Sequence, residues 1–250
     1  MPTAWITGAS SGIGEAFAFL LSEKGYHVVL TARREKRLQE IAGRIRDMGG
    51  TAESFPADLT QEVDLQRTVE AIQHRTVHLV INNAGFGLYG PVAATDPEQE
   101  QSMIRLNVNA LVSLTRAALP QMIERNDGGI IQVASTSSFL PTPYMAGYGA
   151  TKAFVLHYSE ALAAELKHSR VRITAVCPGS TQSEFAQKTG IRQHAPMAAR
   201  EVAERGLRAW ERGRPVVVTG WANQLAVCLP RILPRDWMRR LVERVFRNRS

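Results

Sequence analysis

The chain has 250 residues, 44% of them apolar and 21% charged. That balance fits one globular α/β domain over residues 1–250 with a substantial core, and it excludes a disordered chain. The formal net charge of +7 favours solubility and attraction of anions, but no nucleic-acid-binding motif accompanies it.

Cys177 and Cys228 give no disulfide framework. The histidines are scattered without metal-ligand spacing, so no metal site is expected. No charged leader followed by an apolar core precedes the first apolar run, and no uninterrupted apolar run reaches the ~18–20 residues of a membrane span. The expectation is a cytoplasmic protein.

The first element is a strand over 3–7. Gly8-Ala-Ser-Ser-Gly12-Ile-Gly14 follows at once, and a helical pattern runs from 13 to 24. Strand, glycine turn and helix form the setting a dinucleotide site requires. Glycines let the backbone turn tightly against a pyrophosphate, and the helix N-terminus favours its charge. Gly8, Ser10, Ser11, Gly12, Ile13 and Gly14 are therefore candidate cofactor-binding residues.

Further strands are expected near 27–32, 51–55, 77–82, 129–135, 171–176 and 215–219. Helices are expected near 34–48, 61–73, 98–126, 146–168 and 199–211. This alternation predicts a doubly wound parallel sheet of about seven strands with helices on both faces, a Rossmann fold. Its ligand should lie at the carboxyl ends of the strands, where the glycine turn, Arg33, Asp58, Asn83, Ser135 and Pro178 all fall. The second strand ends in Ala32-Arg33-Arg34. Arginine can clamp a ribose 2′-phosphate that a carboxylate would repel, so NADP(H) is favoured over NAD(H). Arg34 also reads as a surface charge at a helix start. Asp58, ahead of a helix, also reads as a cap.

Tyr148 and Lys152 stand four apart on an expected helix and so share a face. An ammonium beside a phenol favours the phenolate, and the expectation is a lowered tyrosine pKa. Ser135, at the end of the apolar run 129–134, can offer a hydroxyl to the same substrate oxygen.

With these motifs in order, the chain resembles the short-chain dehydrogenase/reductase family from Thr3 to about Phe185. Thr7 to Gly14 is similar to the family's TGxxxGxG, Asn82-Asn-Ala-Gly85 to its NNAG, Tyr148 to Lys152 to its YxxxK, and Pro178-Gly179 to its PG turn. The resemblance implies hydride transfer between nicotinamide and a carbonyl or alcohol carbon. Tyr148 would be the acid/base, Ser135 would hold the oxygen, Lys152 would also bind ribose, and Asn107 would hold a water linking Lys152 to solvent. It also implies cofactor contacts from Arg33, the adenine pair Asp58-Leu59, Asn83, Ala84, Gly85, Pro178, Gly179, Thr181 and Ser183, and a homodimer or homotetramer. The chain departs from the family at Ala110 and Ser138, where glycine is frequent, and at Ser183, where threonine is.

Substrate specificity is expected from 180–199. Phe86, Leu88, Tyr89, Phe139, Leu140, Tyr144, Met145 and Phe185 either form an apolar substrate pocket or pack the core. An apolar carbonyl compound is the expected substrate. Competing readings are an NADP-binding regulatory or scaffold protein without turnover, and a sugar-nucleotide epimerase. Near 221–250, Trp237, Met238, Leu241, Val242, Val245 and Phe246 repeat at helical spacing between Arg235, Arg239, Arg240, Arg244, Arg247 and Arg249, a basic amphipathic helix. Docking on its own domain or a second subunit is the preferred reading, and a contact with an anionic membrane surface is the alternative.

Overall fold

The computed structural model describes residues 1–185 and 196–247. The strands are β1 (Thr3–Thr7), β2 (His27–Ala32), β3 (Thr51–Pro56), β4 (Leu79–Asn82), β5 (Gly129–Val133), β6 (Arg172–Cys177) and β7 (Val216–Val218). The helices are α1 (Gly12–Glu23), α2 (Glu35–Asp47), α3 (Glu62–Gln73), α4 (Pro97–Ile104), α5 (Leu111–Arg125), α6 (Ala146–Glu165), α7 (Ala199–Glu211), α8 (Trp221–Ile232) and α9 (Arg235–Arg247).

The strands form one parallel sheet in the order β3-β2-β1-β4-β5-β6-β7. The expected doubly wound architecture is thus observed. The order reverses between β1 and β4, which opens a crevice at their carboxyl ends. Both faces are covered, which is why the strands read as nearly continuous apolar runs. Side-chain alternation divides the core. Ala4 and Ile6 of β1 pack with Phe17, Leu21 and Leu207 on one face, while Trp5 packs with Leu65, Ile72 and Leu114 on the other.

Several boundaries differ from expectation. The single helix expected over 98–126 is α4, a π-turn at Arg105–Ala110, and α5. Asp96 caps α4 by accepting from the Glu98 N–H at 2.9 Å, and Asn126 closes α5 in the left-handed region with φ 48°. The strand expected to reach residue 135 stops at Val133, and Ser135 caps a 3₁₀ turn, Thr136–Phe139. β4 begins at Leu79 rather than 77, and β7 is shortened to Val216–Val218. The C-terminal part forms two helices, α8 and α9. Among the described residues no helix is long and apolar enough to cross a membrane.

Candidate active site

The crevice is a cleft of about 660 Å³. Its lining includes every residue proposed for the site except Gly14 and Asn107, which lie behind it. The glycine turn owes its shape to sterics. Gly8 adopts φ +64°, and a Cβ on Gly14 would run into the Gly8 carbonyl oxygen and come within 2.5 Å of the Asn83 amide nitrogen. Thr7 and Asn83 hold the turn against β4. The Thr7 hydroxyl accepts from the N–H groups of Asn83 and Ala84, both at 3.0 Å. The Asn83 carboxamide donates to the carbonyls of Thr7 at 3.0 Å and Gly8 at 3.2 Å.

Two arginines line the cleft at this end. Arg33 is exposed, with Nη1 4.0 Å from the Asp58 carboxylate. Arg34 is more engaged than its reading as a surface charge suggested. Its guanidinium donates to the Ser10 hydroxyl at 3.0 and 3.3 Å and to the Ser10 carbonyl at 3.3 Å. A third nitrogen donates to Glu184 at 2.9 Å. Sequence spacing gives no signal for this clamp, because Ser10 and Arg34 meet only through the β1–β2 register. Asp58 accepts from the N–H and hydroxyl of Thr60, at 3.1 and 2.8 Å. Asp58 thus closes a turn ahead of α3 rather than capping the helix, whose N-cap position is Gln61 with no side-chain cap, so the cap read as its alternative is not formed. The glycine turn and the polar groups around it fit a nicotinamide dinucleotide.

At the other end of the cleft, Tyr148 and Lys152 are buried on one face of α6. Burial pushes the Tyr148 phenol up to about 12, and the Ser135 hydroxyl beside it opposes that push. The expected lowering by Lys152 is not what this arrangement gives. Nζ of Lys152 lies 5.9 Å from the tyrosine ring centroid and donates instead to the Val133 carbonyl at 2.7 Å. Burial lowers the ammonium to about 8. The Cys177 thiol nearby is pushed up to about 12, mainly by burial.

Buried polar bonds fix these groups. Ser138 accepts from the Ser135 N–H at 3.3 Å and donates to the Lys152 carbonyl at 2.7 Å. The serine at this departure from the family pattern thus ties the Ser135 turn to α6. Asn107 sits in the π-turn. Its carboxamide donates to the Phe86 carbonyl at 2.9 Å and the Thr151 hydroxyl at 3.0 Å, and it accepts from the Phe86 N–H at 3.1 Å. Thr151 in turn donates to the Tyr148 carbonyl at 2.7 Å.

The apolar candidates divide. Phe86, Leu88, Met145 and Phe185 line the cleft. Tyr89, Leu140 and Tyr144 pack behind it with Tyr148, and Phe139 belongs to a cluster with Leu111 and Val155. The tail supplies residues that were not anticipated at the site: Met238 and Val242 of α9 are buried in the Tyr148 cluster. Residues 186–195 of the expected specificity segment and Arg249 lie outside the described residues, as do the side chains of Arg235, Leu241, Val245, Phe246 and Arg247.

A family model described as short chain dehydrogenase matches residues 2–194. A short-chain dehydrogenase from Sphingobium yanoikuyae, solved with NADPH, is 34% identical with a TM-score of 0.85 over 92% of this chain and 94% of that one. The bulky-bulky ketone specific alcohol dehydrogenase of Comamonas testosteroni is 29% identical, TM-score 0.81, over 94% and 96%. A short-chain dehydrogenase/reductase from Burkholderia phymatum, solved with NAD, is 25% identical, TM-score 0.82, over 91% and 92%.

Proposed function

The chain belongs to the short-chain dehydrogenase/reductase family, and we propose that it is an NADP(H)-dependent cytoplasmic oxidoreductase that reduces bulky apolar ketones, with residues 1–250 acting as one catalytic domain. The observation that carries this reading is that Tyr148 and Ser135 line the apolar end of a cleft whose other end is lined by the glycine turn, Arg33 and Arg34. Phe86, Leu88, Met145 and Phe185 supply the apolar wall for the ketone, in keeping with a relative named for bulky ketones. Arg33 and Arg34, with no carboxylate at the end of β2, favour NADP(H), although relatives are solved with either cofactor.

The nicotinamide, when bound, supplies the hydride. The protein's part is position and proton transfer. Ser135 donates a hydrogen bond to the carbonyl oxygen and supports its developing charge. Tyr148 gives that oxygen its proton. The phenol, raised by burial, is protonated at neutral pH as the acid's role in reduction requires. Lys152 contributes a positive charge beside the phenol and a donor for ribose. Asn107 keeps α6 and the Phe86 loop in register.

The test is a panel of bulky ketones and alcohols, with NADPH absorbance followed in both directions, for wild type and Tyr148→Phe. We expect ketone reduction that falls ~10²–10⁴-fold in the variant with NADPH binding retained, because only the transferable proton is lost. Near-wild-type turnover in the variant rejects Tyr148 as the acid. Cofactor binding without turnover on any carbonyl or alcohol favours the regulatory reading.

A further inference from the structure

We infer that α8 and the outer face of α9 form a docking surface for an anionic lipid bilayer. From Trp221 to Pro230 the chain carries no charged residue, yet among the described side chains of α8 only Val227 is buried. Trp221, Leu225 and Leu229 recur every fourth position and so form one stripe. They are 76, 63 and 40% exposed, and Trp237 at the start of α9 is 66% exposed. An apolar helical stripe left in water on this scale marks an interaction surface.

Charge decides the occupant. Arg231, Arg235, Arg239, Arg240, Arg244 and Arg247 stand against only Asp236 and Glu243 in α8 and α9. Arg239, Arg240 and Arg244 are exposed, and Arg239 pairs with Asp236 at 3.0 Å. A two-fold interface with a second copy would set the same arginine-rich patch against itself. An anionic bilayer complements it, and tryptophan flanked by arginine suits the boundary between headgroups and acyl chains. The inner face of α9 is already committed, since Met238 and Val242 pack into the Tyr148 cluster. The lipid-facing side therefore lies one helix away from the apolar wall of the cleft. If the proposed function holds, a ketone dissolved in the bilayer would meet the enzyme at that wall, but the surface and its test do not depend on turnover.

The experiment is flotation of the full-length protein with vesicles of phosphatidylglycerol and phosphatidylcholine, or of phosphatidylcholine alone, across a salt series. The wild type should float with anionic vesicles at low salt, be released as salt rises, and stay off neutral ones. Each arginine contributes roughly fivefold in partitioning, so Arg239→Gln, Arg240→Gln and Arg244→Gln combined should weaken binding on the order of a hundredfold. Trp221→Ala with Trp237→Ala should abolish a vesicle-induced blue shift of tryptophan emission, since of the two remaining tryptophans Trp5 is buried and Trp210 lies in α7, half-buried with its indole N–H donating to the Arg172 carbonyl. Absence of flotation by the wild type overturns the proposal. So does equal binding to neutral vesicles, or undiminished binding by the arginine variant. A dimer in light scattering that Trp221→Glu dissociates, with no vesicle binding, assigns the face to a second copy and also overturns it.

Discussion

At Lys152, burial costs the charged form more than its neighbours return, so the ammonium stands near 8 rather than 10.5. The linkage sign follows from proton counts. Between about pH 8 and 10.5 the unfolded chain holds a proton there that the folded chain has released, so this group's contribution to stability rises with pH across that window. Tyr148 works in the opposite sense: its folded pKa near 12 lies above the ordinary 10, and its contribution is lost as pH rises from 10 towards 12. Lys152→Met removes only the first effect. Any advantage the methionine variant has at pH 7 should shrink by on the order of 3 kcal/mol towards pH 10.5, read from urea unfolding at stepped pH. A stability difference independent of pH would show that the ammonium is not desolvated. The two arginines give a second prediction. Arg33→Ala or Arg34→Ala should weaken NADPH binding roughly ten- to a hundredfold and NADH binding much less, because a charge-assisted hydrogen bond contributes ~1.5–3 kcal/mol. Ala32→Asp should shift preference the same way. Titration calorimetry with both cofactors checks this, and equal effects on the two would remove the 2′-phosphate role. Arg33 was legible in the sequence because it follows a strand directly. The reach of Arg34 to Ser10 and Glu184 was not, because it depends on where β2 lies beside the glycine turn.

At the scale of elements, apolar periodicity located each strand and most helices, and missed where geometry departs without a change in composition. The π-turn at Arg105–Ala110 is the clearest case. One extra residue per turn leaves the run 98–126 looking helical throughout, yet it sets the Asn107 carboxamide against Phe86 and Thr151. Ser135 was placed at a strand end and proves to cap a 3₁₀ turn, because its hydroxyl accepts from the Ser137 N–H at 3.1 Å and breaks the ladder. Asn107→Leu should therefore act through the element it braces. It leaves the Phe86 N–H and carbonyl without their partner, which costs ~1–3 kcal/mol. A lower urea midpoint with an unchanged slope is the expected result. A midpoint equal to wild type would mean that the Phe86 loop is held by other contacts.

Over the whole molecule, the parallel sheet brings the loops that follow β1 to β6 to one edge, which is why motifs far apart in sequence share one cleft. The tail escaped that logic. Its helical pattern was evident, but the surface it covers lies across the molecule, and only the packed chain shows Met238 and Val242 against Met103, Met145 and Tyr148. This makes α9 the backing of the apolar cluster that holds Tyr148, although no α9 residue lines the cleft itself. Met238 is 5% exposed, and truncating a buried methionine removes transfer energy and leaves a cavity. Met238→Ala should cost ~2–5 kcal/mol, towards the lower end if α9 can settle inward. Leu225→Ala, on the exposed stripe of α8, should change stability by no more than ~0.5 kcal/mol. The active site should register the same difference. A loosened wall behind Tyr148 raises KM for a bulky ketone in Met238→Ala, while Leu225→Ala leaves KM and kcat unchanged in lipid-free buffer. If the two variants instead melt alike and turn over alike, α9 does not back that cluster, which must then be held by residues on the strand-end loops alone.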